Sequence, residues 1–396
     1  MFSSDKEYDS IITFIKHFSK VDGEYMTKNT TGKSVNQERI FRLIREQKEL
    51  TKQEIAAHLN LSMPTVLHNI DTMMQSGLLT EAGTNESTGG RKAMKLTLNP
   101  AAGYSIGIDL ALHHVEIVVT DLWGNILCQK TVPTRFEDKP DWYFGLEREL
   151  TSLLMEHHIE IEKVLGCGIS FPGIVDEQSG YLVKSHILNM DYINLDRFKK
   201  VLPFPIAVAN DANCACVAEK SPEHSTYLYI SLNESVGGAL MLDGKLYVGN
   251  TFQAGEVGHM ILQPNGKQCY CGKKGCADSY LSPMAFLKKN QSIEEFFQLA
   301  AAGDIKTNSL LNEYFEYLAV FISNLRMLLN IDIILGGTVG KYLDPYFDKL
   351  CKKTGDYDLF ARDVDYIKPC KIRQSACAVG ASIFAMERYS INLINR

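Results

Sequence analysis

The sequence predicts an α/β protein: an N-terminal winged helix-turn-helix followed by two similar α/β lobes around a cleft. Three observations carry that expectation. Between Val35 and Asn99, three short helical patterns run into one hairpin pattern. From Tyr104 onward, a strand meander followed by helices is written twice. In the second copy, between Gly255 and Asp278, three thiols and an imidazole crowd a glycine-rich stretch.

At 396 residues the chain is too long for one ordinary domain. Apolar content of 45% and charged content of 22% exclude a disordered or fibrous chain. A formal charge of -6 excludes a coat of basic surface, although a small basic domain fits inside that total. The longest apolar run, Tyr314 to Leu335, is broken by Glu316, Arg326 and Asp332, so no membrane-spanning helix is expected. The N-terminus lacks the apolar core of a signal peptide. Of ten cysteines only three cluster, which points to a reducing cytoplasm and to metal rather than disulfide.

Residues 1–34 read as a polar N-terminal extension with one apolar patch at Ile11, Ile12, Phe14 and Ile15. The winged helix spans 35–99. Ile40, Leu43 and Ile44 recur at helical spacing. Thr51 and Glu54 form a capping box for a second helix, with Ile55, Ala56 and Leu59 as its apolar stripe. Ser62 caps a third helix with Pro64 in its first turn; Val66, Ile70 and Met73 face inward, and Gly77 ends it. Met94, Leu96 and Leu98 alternate as the returning strand of a hairpin. The third helix would present Ser62, Met63, Thr65, His68 and Asn69 to a major groove. Arg91 and Lys92, after Gly89 and Gly90 in the wing, would reach a minor groove or the backbone. Nine Lys/Arg against seven Asp/Glu between Thr31 and Pro100 make a weak electrostatic footprint. A winged helix used only for protein contacts is the alternative.

Residues 99–103 read as a hinge into a first lobe, 103–217, completed by a C-terminal helix within 376–396. Three antiparallel strands and a helix lead to the apolar strand Val164–Ser170, broken by Pro172 and Gly173 at its carboxyl end, where α/β sheets hold ligands. The strand Ile206–Ala209 ends in Asn210-Asp211-Ala212-Asn213. A carboxylate between amides there suits a polyhydroxylated ligand or a general base, and the same residues suit a helix cap. The second lobe, 218–375, repeats the meander, with Asp243-Gly244 as a hairpin turn. A helix capped by Ser292, a long helix over 308–329, a strand ending at Gly336-Gly337 and a strand near 370–372 follow.

His259, Cys269, Cys271 and Cys276 offer four ligands suited to a tetrahedral, closed, structural Zn²⁺ site, with Gly272 and Gly275 bending the backbone around it. Glu256, three residues before the histidine, serves another purpose.

Together these segments resemble the ROK family of repressors, open reading frames and sugar kinases. The resemblance rests on Gly-Ile-Ser-Phe-Pro-Gly-Ile-Val-Asp (168–176), Asn-Asp-Ala-Asn (210–213), Gly-Glu-Val-Gly-His (255–259), Cys-Tyr-Cys-Gly-Lys-Lys-Gly-Cys (269–276) and Leu-Gly-Gly (335–337). The winged helix with its Gly-Gly-Arg wing is similar to that of the family's transcriptional members, of the xylose-repressor and N-acetylglucosamine-repressor type. The resemblance implies an actin-like, ribonuclease-H-like two-lobe fold, a zinc site and a homodimer or tetramer. It places Asn210, Asp211, Glu256 and His259 around a sugar. Asp278 stands where the family usually carries a glutamate that reaches sugar hydroxyls; the shorter side chain weakens that contact or shifts the preference to another sugar.

Family kinases carry Asp-x-Gly-Gly-Thr and Gly-Thr-Gly-x-Gly loops for ATP phosphates. Here the stretches read Asp109-Leu110-Ala111-Leu112-His113 and Asn233-Glu234-Ser235-Val236-Gly237, without most of those glycines and with an added carboxylate. ATP is therefore not expected, and no catalytic residue is assigned; in a kinase, Asp211 would be the general base. The expected function is a sugar-responsive DNA-binding regulator, a repressor that meets a palindromic operator and takes a sugar or sugar phosphate as effector. A sugar kinase with residual activity is the alternative, and a lobe pair serving only as a dimerisation scaffold is a third reading.

Overall fold

The computed structural model describes residues 32–84, 93–221, 223–360 and 364–394. Three helices and a three-stranded sheet build the winged helix: α1 (Gly32–Gln47), β1 (Leu50–Thr51), α2 (Lys52–Leu59), α3 (Met63–Gln75), β2 (Leu79–Thr84) and β3 (Met94–Leu98). The expected helix starts are present. Thr51 Oγ1 accepts from the Glu54 N–H at 3.2 Å while Glu54 Oε2 accepts from the Thr51 N–H at 2.7 Å. Ser62 Oγ accepts from the Thr65 N–H, and Gly77 follows α3 with a positive φ of 74°. β3 lies between β1 and β2, with Leu79 opposite Leu98. Arg91 and Lys92 of the wing, and all but the last three residues of the N-terminal extension, lie outside the described residues.

The chain then runs through β4 (Tyr104–Leu110), β5 (Val115–Thr120), β6 (Ile126–Val132), α4 (Pro140–Glu156) and β7 (Val164–Phe171). A small sheet follows, of β8 (Ile174–Asp176), β9 (Tyr181–Ser185) and β10 (Met190–Asn194), and then β11 (Ile206–Asn210) and α5 (Asp211–Ala218). The second half holds β12 (Tyr227–Leu232), β13 (Val236–Leu242), β14 (Lys245–Tyr247), α6 (Ile293–Ala301), α7 (Ile305–Leu329), β15 (Asp332–Gly336), α8 (Phe347–Gly355), β16 (Ile367–Pro369) and α9 (Ala376–Ile394).

The predicted duplication is visible in the strand orders. One five-stranded sheet runs β11-β7-β4-β5-β6 and the other β14-β13-β12-β15-β16, so each is a three-strand meander extended by two crossover strands. In the second sheet the meander is antiparallel, and β15 and β16 join in parallel. Asp243 and Gly244 turn the β13–β14 hairpin with positive φ at both residues, 48° and 73°. The last strand of that sheet lies a few residues before the expected 370–372, because Tyr366 and Ile367 supply the buried apolar pair. The small sheet β8–β10 was not foreseen.

Contacts divide the described chain into two compact units. The first gathers the winged helix, the residues up to 169, 194–208 and those from 381; the second holds 170–193 and 209–380. In the first unit the winged helix does not keep a separate core. Ile40, Phe41, Ile44, Val66, Ile70 and Met73 share one apolar cluster with Leu122, Leu165, Met386 and Leu393. Residues 99–103, expected as a hinge, form a single 3-10 turn: the Asn99 side chain accepts from the Ala101 N–H and donates to Gly77 O. The Lys48 ammonium lies 4.4 Å from the Trp123 ring centre, and Arg45 pairs with Glu387 at 2.7 Å. In the second unit, β12 and β15 bury Leu228, Ile230, Leu232, Ile333 and Leu335 against Phe315, Leu318 and Ile322 of α7, while α5 packs on β12 and β13. No helix among the described residues is long and apolar enough to cross a membrane.

Candidate metal and ligand site

β11 ends at Asn210, and its side chain opens α5. Asn210 Oδ1 accepts from the Asn213 N–H at 3.0 Å; Asn210 Nδ2 donates to Gly173 O and to Asp211 Oδ1, both at 2.9 Å. Asp211 Oδ1 also accepts from the Ala212 N–H at 2.9 Å, and the other carboxylate oxygen carries none of these bonds. Burial pushes the Asp211 carboxyl up to about 6. The cap expected from the sequence is therefore real, and it holds the carboxylate at the mouth of a helix and a strand end.

Glu256 and His259 come from the Gly-Glu-Val-Gly-His stretch, whose glycines press the chain onto β13. Gly255 has a φ of 86°, and a Cβ there would meet Gly238 O at 2.3 Å; one on Gly258 would meet Val236 O at 1.9 Å. A 3-10 turn over Val257–His259 then aims both side chains the same way. His259 Nε2 lies 4.0 Å from Glu256 Oε2, and partial desolvation, then the charge of Asp211, pushes Glu256 above the usual carboxylate range.

The opposite nitrogen of that imidazole faces sulfur. His259 Nδ1 is 3.8 Å from Cys269 Sγ, Cys271 Sγ is 3.7 Å from Cys276 Sγ, and all four ligand atoms lie within 4.8 Å of one another. Four ligands on a tetrahedron with metal–sulfur bonds of about 2.3 Å stand about 3.8 Å apart, so the set fits a metal ion. It does not fit a disulfide, which needs sulfurs at about 2.05 Å, and all three cysteines are free. The loop is closed by the isolated pairings Ile261 with Cys276 and Gln268 with Lys274, and the Lys273 ammonium donates to His259 O. Burial and the adjacent thiols push Cys276 up to about 12, so ionising all three sulfurs together would need a cation among them.

Asp278 sits in the protein interior. It is 4% exposed, and its Oδ2 accepts from the Val236 N–H at 2.7 Å and from the Tyr270 hydroxyl at 3.4 Å. Burial pushes it up to about 6. Tyr270, which sequence reasoning missed, stands beside it, and His186, also missed, stands beside Tyr270. The Tyr270 ring lies 5.4 Å from that of His259 and 5.7 Å from that of His186, which the unforeseen β9–β10 connection brings in. The position of Tyr270 between two cysteine ligands was the available signal; nothing local marked His186.

The two stretches compared with phosphate loops are tightly turned. Ala111 N–H donates to His114 O just after β4. At the end of β12, Asn233 Oδ1 accepts from the Thr338 N–H at 2.7 Å and Asn233 N–H donates to Ser235 O.

On α3, Ser62, Met63 and His68 are exposed and Thr65 is half-buried; Ser62 Oγ and Thr65 Oγ1 share a 2.8 Å bond. Asn69 corrects the expectation. It is 2% exposed and its Nδ2 donates to Thr65 O at 2.7 Å, because it falls on the same face as Val66, Ile70 and Met73. Leu67, 39% exposed, takes an outward place instead.

Comparison with known proteins identifies the two parts of the chain. Residues 105–388 match the ROK family and residues 34–80 match a winged helix-turn-helix DNA-binding domain. The xylose repressor of Bacillus spizizenii is 28% identical over 322 residues, covering 77% of this chain and 82% of that protein. The N-acetylglucosamine repressor of Escherichia coli O157:H7 is 23% identical over 255 residues, 62% of each chain. Among solved structures, a ROK family transcriptional regulator, homolog of the Escherichia coli MLC protein, superposes with a TM-score of 0.75 at 22% identity, covering 92% of this chain and 98% of that one. A ROK family glucokinase from Streptomyces griseus, in complex with glucose and AMPPNP, gives 0.60 at 22% identity over 71% of this chain and 98% of that one.

Proposed function

We propose, for a chain that belongs to the ROK family and carries a winged helix ahead of that domain, that it is a sugar-responsive transcriptional repressor of carbohydrate-utilisation genes. The observation that carries this reading is the fusion itself: a DNA-binding helix whose exposed face is free of its own core, in one chain with the family domain. The names of its relatives, a xylose repressor and an N-acetylglucosamine repressor, support it.

The effector is a sugar held by Asn210, Asp211, Glu256 and His259, whose carboxylates accept from hydroxyls. His259, Cys269, Cys271 and Cys276 would hold a structural Zn²⁺, which ties the loop bearing Glu256 in place when bound. Because Nδ1 faces sulfur, His259 keeps Nε2 for the sugar side. The protein works in the cytoplasm as a homodimer or tetramer on a palindromic operator. Sugar binding shifts the balance between conformers with different operator affinity.

Kinase chemistry is disfavoured. Asn233 occupies the Thr338 N–H, and Glu234 adds a negative charge to a turn that would have to receive phosphate. A DNA-shift assay on the upstream region of its own gene tests the reading, with and without xylose, glucose and N-acetylglucosamine. One sugar is expected to change operator affinity by about 5- to 150-fold. No specific shift under any condition would sink the regulator; sugar-dependent ADP formation at enzyme-like rates would replace it with a kinase.

A further inference from the structure

Asp278 is buried and already bonded. Its Oδ2 caps the first N–H of β13, at Val236, with a 2.7 Å bond, so that oxygen is committed to the backbone. Over the same oxygen stands Tyr270, whose hydroxyl lies 3.4 Å away while the residue keeps 47% of its surface exposed. Its ring meets His259 edge-on at 5.4 Å, and His186, itself exposed, closes the triangle at 5.7 Å from Tyr270 and 6.1 Å from His259. Three rings thus make a continuous wall that runs from Glu256, beside His259, to Asp278. The wall is rigid where it matters. Tyr270 sits between two residues of the metal cluster, and the Cys269 N–H to Lys273 O and Gly272 N–H to Cys269 O bonds fix its backbone.

We propose that Tyr270, with His186 beside it, determines which sugar is read: its hydroxyl, beside the committed Asp278 Oδ2, makes a contact with a sugar hydroxyl, and its ring receives the apolar C–H face of a neutral pyranose. This rests on the sugar-effector reading above. Aromatic faces suit the C–H face of a sugar because they offer a flat apolar surface with a polar tip at one end. The charge around the wall sets the second half of the choice. Glu256, Asp211 and Asp278 are carboxylates, and the Lys273 ammonium donates to the His259 carbonyl. A phosphate ester would meet like charge from these carboxylates.

The test is isothermal titration of the full-length, zinc-loaded protein with xylose, glucose, N-acetylglucosamine and glucose 6-phosphate, on the wild type and on Tyr270→Phe, Tyr270→Ala and His186→Ala. Zinc content is measured in parallel. The wild type is expected to bind at least one neutral sugar, and glucose more tightly than glucose 6-phosphate. Tyr270→Phe, which keeps the ring and so the packing over the cysteines, should weaken binding about threefold to tenfold. Tyr270→Ala should weaken it roughly tenfold to a hundredfold, and His186→Ala should reorder the sugars. Unchanged affinity and ranking in Tyr270→Phe and His186→Ala at full zinc content overturns the proposal, as does tighter binding of the phosphate ester. A wild type that binds none of the four overturns the effector reading and this proposal with it.

Discussion

The outward face of α3 rests on an apolar core, whereas the loop from Gly255 to Asp278 has almost none of its own. Val66, Ile70 and Met73 are buried and joined to Leu122, Leu165 and Met386, so the exposed Met63, Leu67 and His68 stand on a packed support. The loop has only one 3-10 turn and two isolated strand pairings, and the side chains at its centre are groups able to ligate a metal rather than hydrocarbon. One region is held by burial and the other by backbone bonds and the side chains that can ligate. The two should therefore fail under different insults.

The largest expected effect is on the loop. Structural zinc contributes on the order of 10–16 kcal/mol to small zinc-dependent folds, and no comparable apolar burial stands in reserve here. Chelation, or Cys276→Ser, should abolish measurable sugar binding while operator binding without sugar stays within about twofold of the wild type. Titration calorimetry and the DNA-shift assay, run on the same metal-analysed sample, read both. Equal loss of both activities would mean that the regions are not supported independently.

The converse comes from the other side. Ile70→Ala opens a cavity in the shared cluster and should cost about 2–5 kcal/mol of the stability of the first unit, read as a fall in the denaturation midpoint. Operator affinity should drop with it, and sugar affinity at 25 °C should not. Because Ile70 packs in one cluster with Leu165 and Met386 as well as winged-helix residues, the loss is expected in a transition that includes the lobe.

The same contrast explains what could be read beforehand. Local chemistry was legible: the Thr51–Glu54 box, the Ser62 cap, the Asp243-Gly244 turn and the cysteine spacing all act within a few residues. Both five-stranded sheets followed from the duplicated meander. Asn69 was misplaced although its own periodicity gave the answer, since 66, 69, 70 and 73 fall on one helical face. The partners of the winged-helix core were not legible, because Leu122, Leu165 and Met386 lie far along the chain and carry no mark of what they touch. His186 was missed for a related reason. The strands that deliver it are short and half-exposed, so they lack the alternation that announces a strand.

The smallest effect is a titration, and its sign separates stability from binding. Burial raises Asp211 from 3.8 to about 6. A carboxyl whose pKa folding has raised favours the folded state fully below 3.8, and that contribution, about 3 kcal/mol at most, is lost as pH rises through 6. Sugar binding runs the other way, because only the ionised Asp211 accepts two hydroxyl bonds. Affinity should fall about twofold from pH 7.5 to pH 6 and about tenfold by pH 5, while the second unit grows more resistant to denaturant over the same interval. Asp211→Asn should therefore flatten the affinity profile, at a lower plateau. Calorimetry at the three pH values checks this, and a wild-type affinity that rises on acidification would remove Asp211 from the ligand site.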